Sequence, residues 1–369
     1  MNGGLDALSL ALASFQAAMV WRNLPLFQAP PAKFSSPPPI SVLLPARDEE
    51  ANLPEVVATV RNQVGVDWEL VIVDDASTDG TRRLAEAAAL EDRRIKVVLA
   101  PPLPPGWAGK QHACHLASQQ ARFPHWLFLD ADVRLSDPQA LARISALLDK
   151  GGAEMVSGLP LQKTFGWAEQ AIIPLIHLVL LGYLPLWEMR RNRLPALGAA
   201  CGQMVAVQAA AYRESGGHAA VHDRLHDATA LAALFRRRGY MTDMFDATAL
   251  ADCRMYQNSR DVWSGFAKNA TEGMARPLLL PLWTFVLLGA NLLPLVLALT
   301  GRPLGALALL LNAAVYLALR RRFQQTILGA LSRPLGVTGL MAIQWWALLD
   351  KWRGGRATWK GRAYQPRHS

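Results

Sequence analysis

Charge is scarce in this chain. Asp, Glu, Lys and Arg make up 18% of its 369 residues while hydrophobic residues make up 51%, and a soluble domain carries about 25% charged residues. That balance points to a membrane-associated protein. Acidic residues are the scarcer sign, 29 against 38 Lys and Arg, for a net charge of +9. The basic excess lies beside apolar runs, where anionic lipid is the nearer partner, so no nucleic-acid partner is expected. Only three cysteines occur, Cys114, Cys201 and Cys253. They are too few and too scattered for a disulfide framework or a zinc site. Internal repeats and low-complexity stretches are absent, which excludes a solenoid. No basic residue opens the chain before the uncharged stretch 7–21, and Asp6 precedes it. A cleaved signal peptide needs a positive start, so this stretch reads as a retained anchor, with a helix lying along the membrane surface as the alternative.

Long hydrophobic runs are present near the other end. Residues 277–300 carry no charge and exceed the roughly 20 residues that cross a bilayer core. Residues 303–319 form a shorter second run, and the two are separated by a tight hairpin around Gly301-Arg302. Arg22, then Arg320, Arg321 and Arg322, then the Lys- and Arg-rich tail flank these segments. Basic flanks stay on the cytoplasmic side, which predicts a multi-pass protein of the cytoplasmic (inner) membrane with its central domain in the cytoplasm. Run 334–349 must then re-enter or lie in the interface, where the pair Trp345-Trp346 suits the headgroup region. The expected organisation is an anchor over 1–22, a cytoplasmic domain over 37–275, a transmembrane or re-entrant region over 276–350 and a basic tail over 351–369.

After the linker Ser36-Pro37-Pro38-Pro39, strand and helix patterns alternate. Strands are expected at 40–44, 70–73, 95–99 and 203–207, with helices at 49–63, 81–90, 110–121, 209–215 and 228–238. Short apolar strands separated by helices imply an α/β domain with a mostly parallel, Rossmann-like sheet covered by helices on both faces. The uncharged run 170–187, interrupted by Pro174, His177 and Pro185, reads as an amphipathic helix at the membrane surface.

Ligands of such sheets bind beyond the carboxyl ends of the strands, and the polar clusters fall there: Pro45-Ala46-Arg47, Asp74-Asp75, and Asp130-Ala131-Asp132. The last follows the apolar run Leu127-Phe128-Leu129. Residues i and i+2 of a strand share a face, so Asp130 and Asp132 can address one divalent cation. A hard cation so held completes its shell with water and phosphate oxygens, which makes a diphosphate site. Asp137 before Pro138 is expected to cap the helix that follows.

The stretches Ile40-Ser41-Val42-Leu43-Leu44-Pro45-Ala46-Arg47-Asp48-Glu49-Glu50 and Val71-Ile72-Val73-Asp74-Asp75-Ala76-Ser77-Thr78-Asp79-Gly80-Thr81, followed by the Asp130/Asp132 pair, resemble the motifs of family 2 glycosyltransferases in their order. Pro104-Pro105-Gly106-Trp107-Ala108-Gly109-Lys110, the segment from Trp263 to Asn269, and Trp359-Lys360-Gly361-Arg362-Ala363-Tyr364 are similar to the membrane-bound members associated with hopanoid and carotenoid pathways. The resemblance covers residues 40–274 most closely and implies a GT-A fold that uses a nucleotide-diphosphate sugar. It implies that Pro45, Ala46, Arg47, Glu49, Asp75 and Asp130 bind the donor, with Asp75 on the base; Lys110 reads either as a further phosphate or nucleotide contact of the donor or as an ordinary solvated lysine. Asp130 and Asp132 would hold a divalent cation, Mg or Mn, and Asp227 would be the catalytic base. At that position the family carries a Glu-Asp pair, whereas this chain reads His226-Asp227. Without the resemblance, Asp227 reads equally as a plain cap of the helix that follows. Asp48 stands where Asn is common. The signature Gln-x-x-Arg-Trp of processive synthases is missing, so one sugar per acceptor is expected.

The implied activity is inverting transfer of a single sugar from a nucleotide-diphosphate sugar to a lipid acceptor at the bilayer. Transfer to a polyprenyl phosphate is the nearest enzymatic alternative, and a membrane scaffold without turnover is another.

Overall fold

The computed structural model describes residues 3–355, 357–359 and 362–364. Lys360 and Gly361 of the tail motif, and residues 365–369 of the basic tail, lie outside the described residues. Packing divides the described residues into two compact units: 3–26, 162–187, 255–355 and 357–359 form one, and 27–161, 188–254 and 362–364 the other.

The second unit is built on eight strands: β1 (Ile40–Ala46), β2 (Trp68–Asp74), β3 (Ile95–Leu99), β4 (His125–Leu129), β5 (Val133–Leu135), β6 (Met155–Gln162), β7 (Met204–Gln208) and β8 (Thr242–Cys253). Their order in the sheet is β3-β2-β1-β4-β7-β6-β8-β5. Strands β3, β2, β1 and β4 are parallel. Beyond β4 the sheet turns antiparallel, β7 running against both β4 and β6, and β5 against β8. The mostly parallel sheet expected from the alternation is therefore present only in its first half. β5, β6 and β8 have no counterpart in that reading, since β6 pairs with β7 and β5 with β8 across long stretches of chain, and such pairings leave no local pattern. Ile40, Val42, Leu43 and Leu44 are fully buried, as are Leu70, Val71, Ile72 and Val73 of β2. These are the continuous apolar runs that a sheet covered on both faces requires.

Several boundaries move for identifiable reasons. The helix expected from residue 49 starts at Leu53, because Asp48 has a positive φ of 50° and breaks the chain's turn. Asp and Asn are the non-glycine residues that best tolerate this region, so Asp48 does what Asn would do there. The helix after Asp137 begins at Ala140 rather than at Pro138. Asp137 instead accepts the Gln139 N–H at 2.9 Å and pairs with Arg143 at 2.6 Å. Gly158 on β6 lies where an added Cβ would sit 2.6 Å from Phe245 Cζ and 2.8 Å from Met204 Sδ. Gly158→Ala is expected to cost about 1–3 kcal/mol by overpacking, read as a fall in the thermal midpoint. An unchanged midpoint would mean that the two strands have room to part.

In the first unit, three helices among the described residues are long and apolar enough to cross a membrane: Gly4–Asn23, Leu279–Leu299 and Pro303–Arg322. The third is longer than the run 303–319 suggested, since it continues through Arg320, Arg321 and Arg322. Run 334–349 lies within a helix, Arg333–Trp352. Run 170–187 is not one surface helix. It forms the end of Trp167–Ile172, then Leu175–Tyr183, then the start of Leu186–Met189, broken around Pro174 and Pro185. Leu175, Leu178 and Leu181 are buried, and Asn23 donates to the Leu181 and Leu184 carbonyls at 2.8 and 2.7 Å. This run packs inside the helical unit because its apolar residues encircle the helix instead of forming one face.

A polar network joins these helices. Gln16 donates to Asn291 and Asn312 at 3.2 and 3.4 Å, and its own carbonyl accepts from Tyr183 at 2.8 Å and Asn291 at 3.0 Å. Tyr316 donates to Asn291 at 2.5 Å. Such bonds hold helix pairs together where there is no water to compete, at about 0.6 kcal/mol each. At the start of the first helix, Asp6 accepts two bonds of 3.0 Å from Arg302 in the hairpin between the other two. The hairpin and the beginning of the chain's first helix thus share one end of the bundle.

Candidate functional site

The parallel register pairs Ala46 with Asp74, which sets the loops after β1 and β2 side by side. The Asp75 N–H donates to the Ala46 carbonyl at 2.8 Å. Arg47 reaches across and donates to the carbonyls of Asp75 at 2.6 Å and Ala76 at 3.2 Å. Asp48 accepts the Thr78 N–H at 2.7 Å, the Glu49 N–H donates to Thr81 Oγ1 at 2.7 Å, and the Glu50 N–H to Asp79 at 3.0 Å. Two loops that the sequence separates by almost thirty residues are stitched into one wall. Asp75 is buried in it, and Pro45 closes the end of β1.

On the neighbouring strand, β4 ends at Leu129, so Asp130 and Asp132 stand in the turn leading to β5 rather than on the strand. The turn is short, and the Val133 N–H donates to the Asp130 carbonyl at 3.1 Å. The Asp130 N–H donates to the Gln203 carbonyl at 3.0 Å, which ties the turn to the residue just before β7.

Lys110 brings the carboxylates together. Its Nζ lies 2.6 Å from Asp130 Oδ1 and 3.7 Å from Asp227 Oδ2 and donates to the Gly202 carbonyl at 3.2 Å. It sits in the first turn of the helix Gly109–Gln120, which is fastened to the segment before Asp227. The Ala108 N–H donates to the His222 carbonyl at 2.7 Å, Gln111 donates to the Arg224 carbonyl, and the Trp107 ring lies 5.2 Å from His222. Asp227 is the first residue of the helix Asp227–Arg237 and His226 occupies the cap position, so Asp227 is not the helix cap. His226 Nε2 is 3.4 Å from Thr229 Oγ1. Burial pushes the Asp227 carboxyl up, but the Lys110 ammonium and the helix start outweigh it and hold the group below its ordinary value, ionised at neutral pH. His218, buried 2.8 Å from the Tyr212 hydroxyl, is pushed down to about 4 and stays neutral. Gly202 lines the same space, where an added Cβ would lie 3.4 Å from Asp227 Oδ1 and 3.5 Å from Lys110 Nζ.

Asp132 faces the opposite situation. Burial first, then the charges of Asp130 and Glu49, push its carboxyl up to about 7. Its Oδ1 is buried and without a hydrogen-bond partner among the described residues. The Cys253 thiol lies against it, and Gln203 Nε2 approaches Cys253 Sγ at 2.9 Å. Burial keeps the thiols of Cys253 and Cys201 protonated, the latter pushed up to about 12. An orphaned buried oxygen in an over-anionic pair is the environment that a divalent cation relieves, so Asp130 and Asp132 fit that role chemically.

Seven of the expected residues, Pro45, Ala46, Arg47, Glu49, Asp75, Asp130 and Asp132, follow or end the parallel strands β1, β2 and β4. Lys110 and Asp227 join Asp130 from two helices. Gly202, Gln203 and Cys253 escaped the sequence reading. A glycine just ahead of an apolar strand signals close backbone approach and was the available hint for Gly202. Nothing local marks Gln203 or Cys253.

A Rossmann-like sheet that turns antiparallel, with acidic side chains gathered beyond the ends of its parallel strands, defines a glycosyltransferase of the GT-A type. The glycosyl transferase family 2 model matches residues 41–213, so the chain carries a family 2 glycosyltransferase domain. It is similar to the 4,4'-diaponeurosporenoate glycosyltransferase of Staphylococcus aureus (strain USA300), 24% identical over 343 residues that cover 88% of each chain. It is also similar to the enzyme of that name from Staphylococcus haemolyticus (strain JCSC1435), 24% identical over 63% of this chain and 61% of the other. Among solved structures, the mannosyltransferase PcManGT from Pyrobaculum calidifontis, in complex with GDP-Man and Mn2+, shares the fold, with a TM-score of 0.59 and 18% identity over 94% of this chain and 99% of that one.

Proposed function

We propose that the protein is a membrane-bound, inverting glycosyltransferase that moves one sugar from a nucleotide-diphosphate sugar to a lipid acceptor. The observation that carries this reading is the convergence of Asp130 and Asp227 on one Lys110, with the orphaned Asp132 oxygen beside Asp130. A leaving group that departs as a polyanion and an acceptor that must lose a proton call for this combination of charges. The wall made by Pro45, Ala46, Arg47, Glu49 and Asp75 is the proposed nucleotide side. Asp227, ionised, takes the acceptor proton as its oxygen attacks the anomeric carbon, and the bond to the diphosphate oxygen breaks with its electron pair. One displacement inverts the centre. Asp130 and Asp132 would hold Mg or Mn, which offsets the charge on the departing diphosphate when bound.

The lipid acceptor rests on the relatives named for an apolar carboxylic acid and on the three apolar helices. Those helices, with Arg22 and Arg320, Arg321 and Arg322 at one end and the Asp6–Arg302 pair at the other, support an inner-membrane protein whose transferase domain is cytoplasmic.

The test is transfer of labelled sugar from a panel of nucleotide-diphosphate sugars into a lipid extract by the purified full chain with Mn2+. Labelled lipid stable to mild acid is expected. An acid-labile product would replace this reading with polyprenyl-phosphate transfer. Nucleotide binding without turnover of any donor, in the presence of apolar alcohol and carboxylic acid acceptors, would leave a scaffold.

A further inference from the structure

Arg333 is fully buried in the helical unit, and among the described residues no carboxylate pairs with it. Its Nη1 donates weakly to the Pro174 carbonyl at 3.4 Å, its Nη2 donates to Gln325, and its Nε is buried without a partner. The Tyr316 ring lies 5.4 Å from the guanidinium carbon and supplies only its π face. His177 is also buried. Its ring stacks on Phe323 at 3.9 Å, its Nδ1 is 3.4 Å from Gln325 Nε2, and its Nε2 is buried without a partner among the described residues. The Gln325 amide therefore links a buried cation to a buried imidazole, and it is the only half-buried member of the three. The Glu169 carboxylate of the same unit is occupied by the N–H groups of Phe165 and Gly166, at 3.0 and 3.1 Å.

A buried guanidinium without an anion is costly, and an apolar side chain of the same volume in its place is often neutral or stabilising. The cluster also has a definite level in the bundle. Phe323 and Gln325 follow directly on Arg320, Arg321 and Arg322, where the third apolar helix ends, and this is where headgroups lie if that helix crosses a bilayer. Arg is the side chain whose planar fork fits a carboxylate or phosphate with two parallel bonds.

From these observations we infer that Arg333, His177 and Gln325 form an oxyanion site for the terminal phosphate or carboxylate of an anionic membrane lipid. The Gln325 amide turns aside to admit the anion, Arg333 donates to two of its oxygens, and His177 Nε2 donates to the third terminal oxygen of a phosphate or shares one of the two oxygens of a carboxylate. The site is independent of glycosyl transfer, and its test does not use that reaction.

The experiment measures the thermal midpoint of the full chain in neutral detergent during titration with dioleoyl phosphatidic acid, oleate, phosphatidylcholine or inorganic phosphate, for wild type, Arg333→Met, Gln325→Ala and Arg321→Ala. Phosphatidic acid and oleate are expected to raise the wild-type midpoint at concentrations where phosphatidylcholine and inorganic phosphate do not. Arg333→Met is expected to weaken that response at least about tenfold, the loss typical of a charged hydrogen-bond partner, while melting no lower than wild type without lipid. Equal stabilisation by inorganic phosphate would overturn the lipid assignment and leave a free-anion site. A response that survives Arg333→Met, falls with Arg321→Ala, or never occurs would overturn the site itself. If Arg333→Met does not fold, Gln325→Ala carries the test: it keeps the guanidinium, and an unchanged response would refute the linked cluster.

Discussion

Asp227→Asn is expected to lower kcat for a hydroxyl acceptor by about 10²–10⁴-fold, the contribution of a positioned general base, and to leave donor binding nearly unchanged. Asparagine keeps the shape, so the helix Asp227–Arg237 should still form, and the Lys110–Asp130 contact of 2.6 Å does not depend on it. The acceptor's own chemistry sharpens the experiment. A carboxylic acid is already ionised at neutral pH and has no proton to give up, so with such an acceptor the same substitution should cost far less. Measuring both acceptor types on one preparation separates a base from a structural contact. An equal loss with hydroxyl and carboxylate acceptors would mean that Asp227 only positions Lys110. Full activity with both would remove it from the chemistry.

The second large effect concerns Asp132. Asp132→Asn is expected to reduce transfer by about 10²–10³-fold, the range for losing one group that stabilises charge developing in the transition state. It should also abolish a pH-dependent stability term that needs no substrate to observe. The carboxyl is pushed up to about 7 in the folded chain from an ordinary 3.8. Below that lower value both folded and unfolded chains hold the proton. Between the two, the unfolded chain has released it and the folded chain has not, so this group makes stability fall as pH rises from about 4 towards 7. Thermal midpoints of metal-free protein between pH 4 and 8 should show the fall in wild type and lose that component in Asp132→Asn. Added Mn2+ must displace the proton, so it should stabilise wild type more at pH 8 than at pH 5 and stabilise the variant little at either. A Mn2+ shift equally large in Asp132→Asn would place the cation on other side chains.

The first half of the sheet and most of the candidate residues were legible in the sequence because each depends on local pattern. The apolar runs ending at Ala46, Asp74 and Leu129 are bounded by Gly, Pro and Asp, and side chains just past strand ends are predictable once the strands are. The three apolar helices followed from length and hydropathy alone. The reading failed where pairing is non-local. β6 and β8 entered the sheet as antiparallel partners of β7 and β5, strands far from them in the chain. Run 170–187 is apolar on every side, which calls for burial, but it carries no information about its partner, the first helix Gly3–Asn23, to whose Asn23 and Gln16 it is bonded.

The sequence by itself determined the class of chemistry, since family motifs, carboxylates after apolar strands and a charge-poor C-terminal region are all one-dimensional facts. Only the tertiary structure decided which groups act together. Lys110 and Asp227 are over a hundred residues apart, yet one ammonium touches both Asp227 and Asp130 because the start of its helix is bonded to His222 and Arg224. Likewise, Arg333 reads as an ordinary basic residue until folding buries it beside His177 without an acid. Charges interact through space, and the distances over which they do so are set by packing rather than by position in the chain.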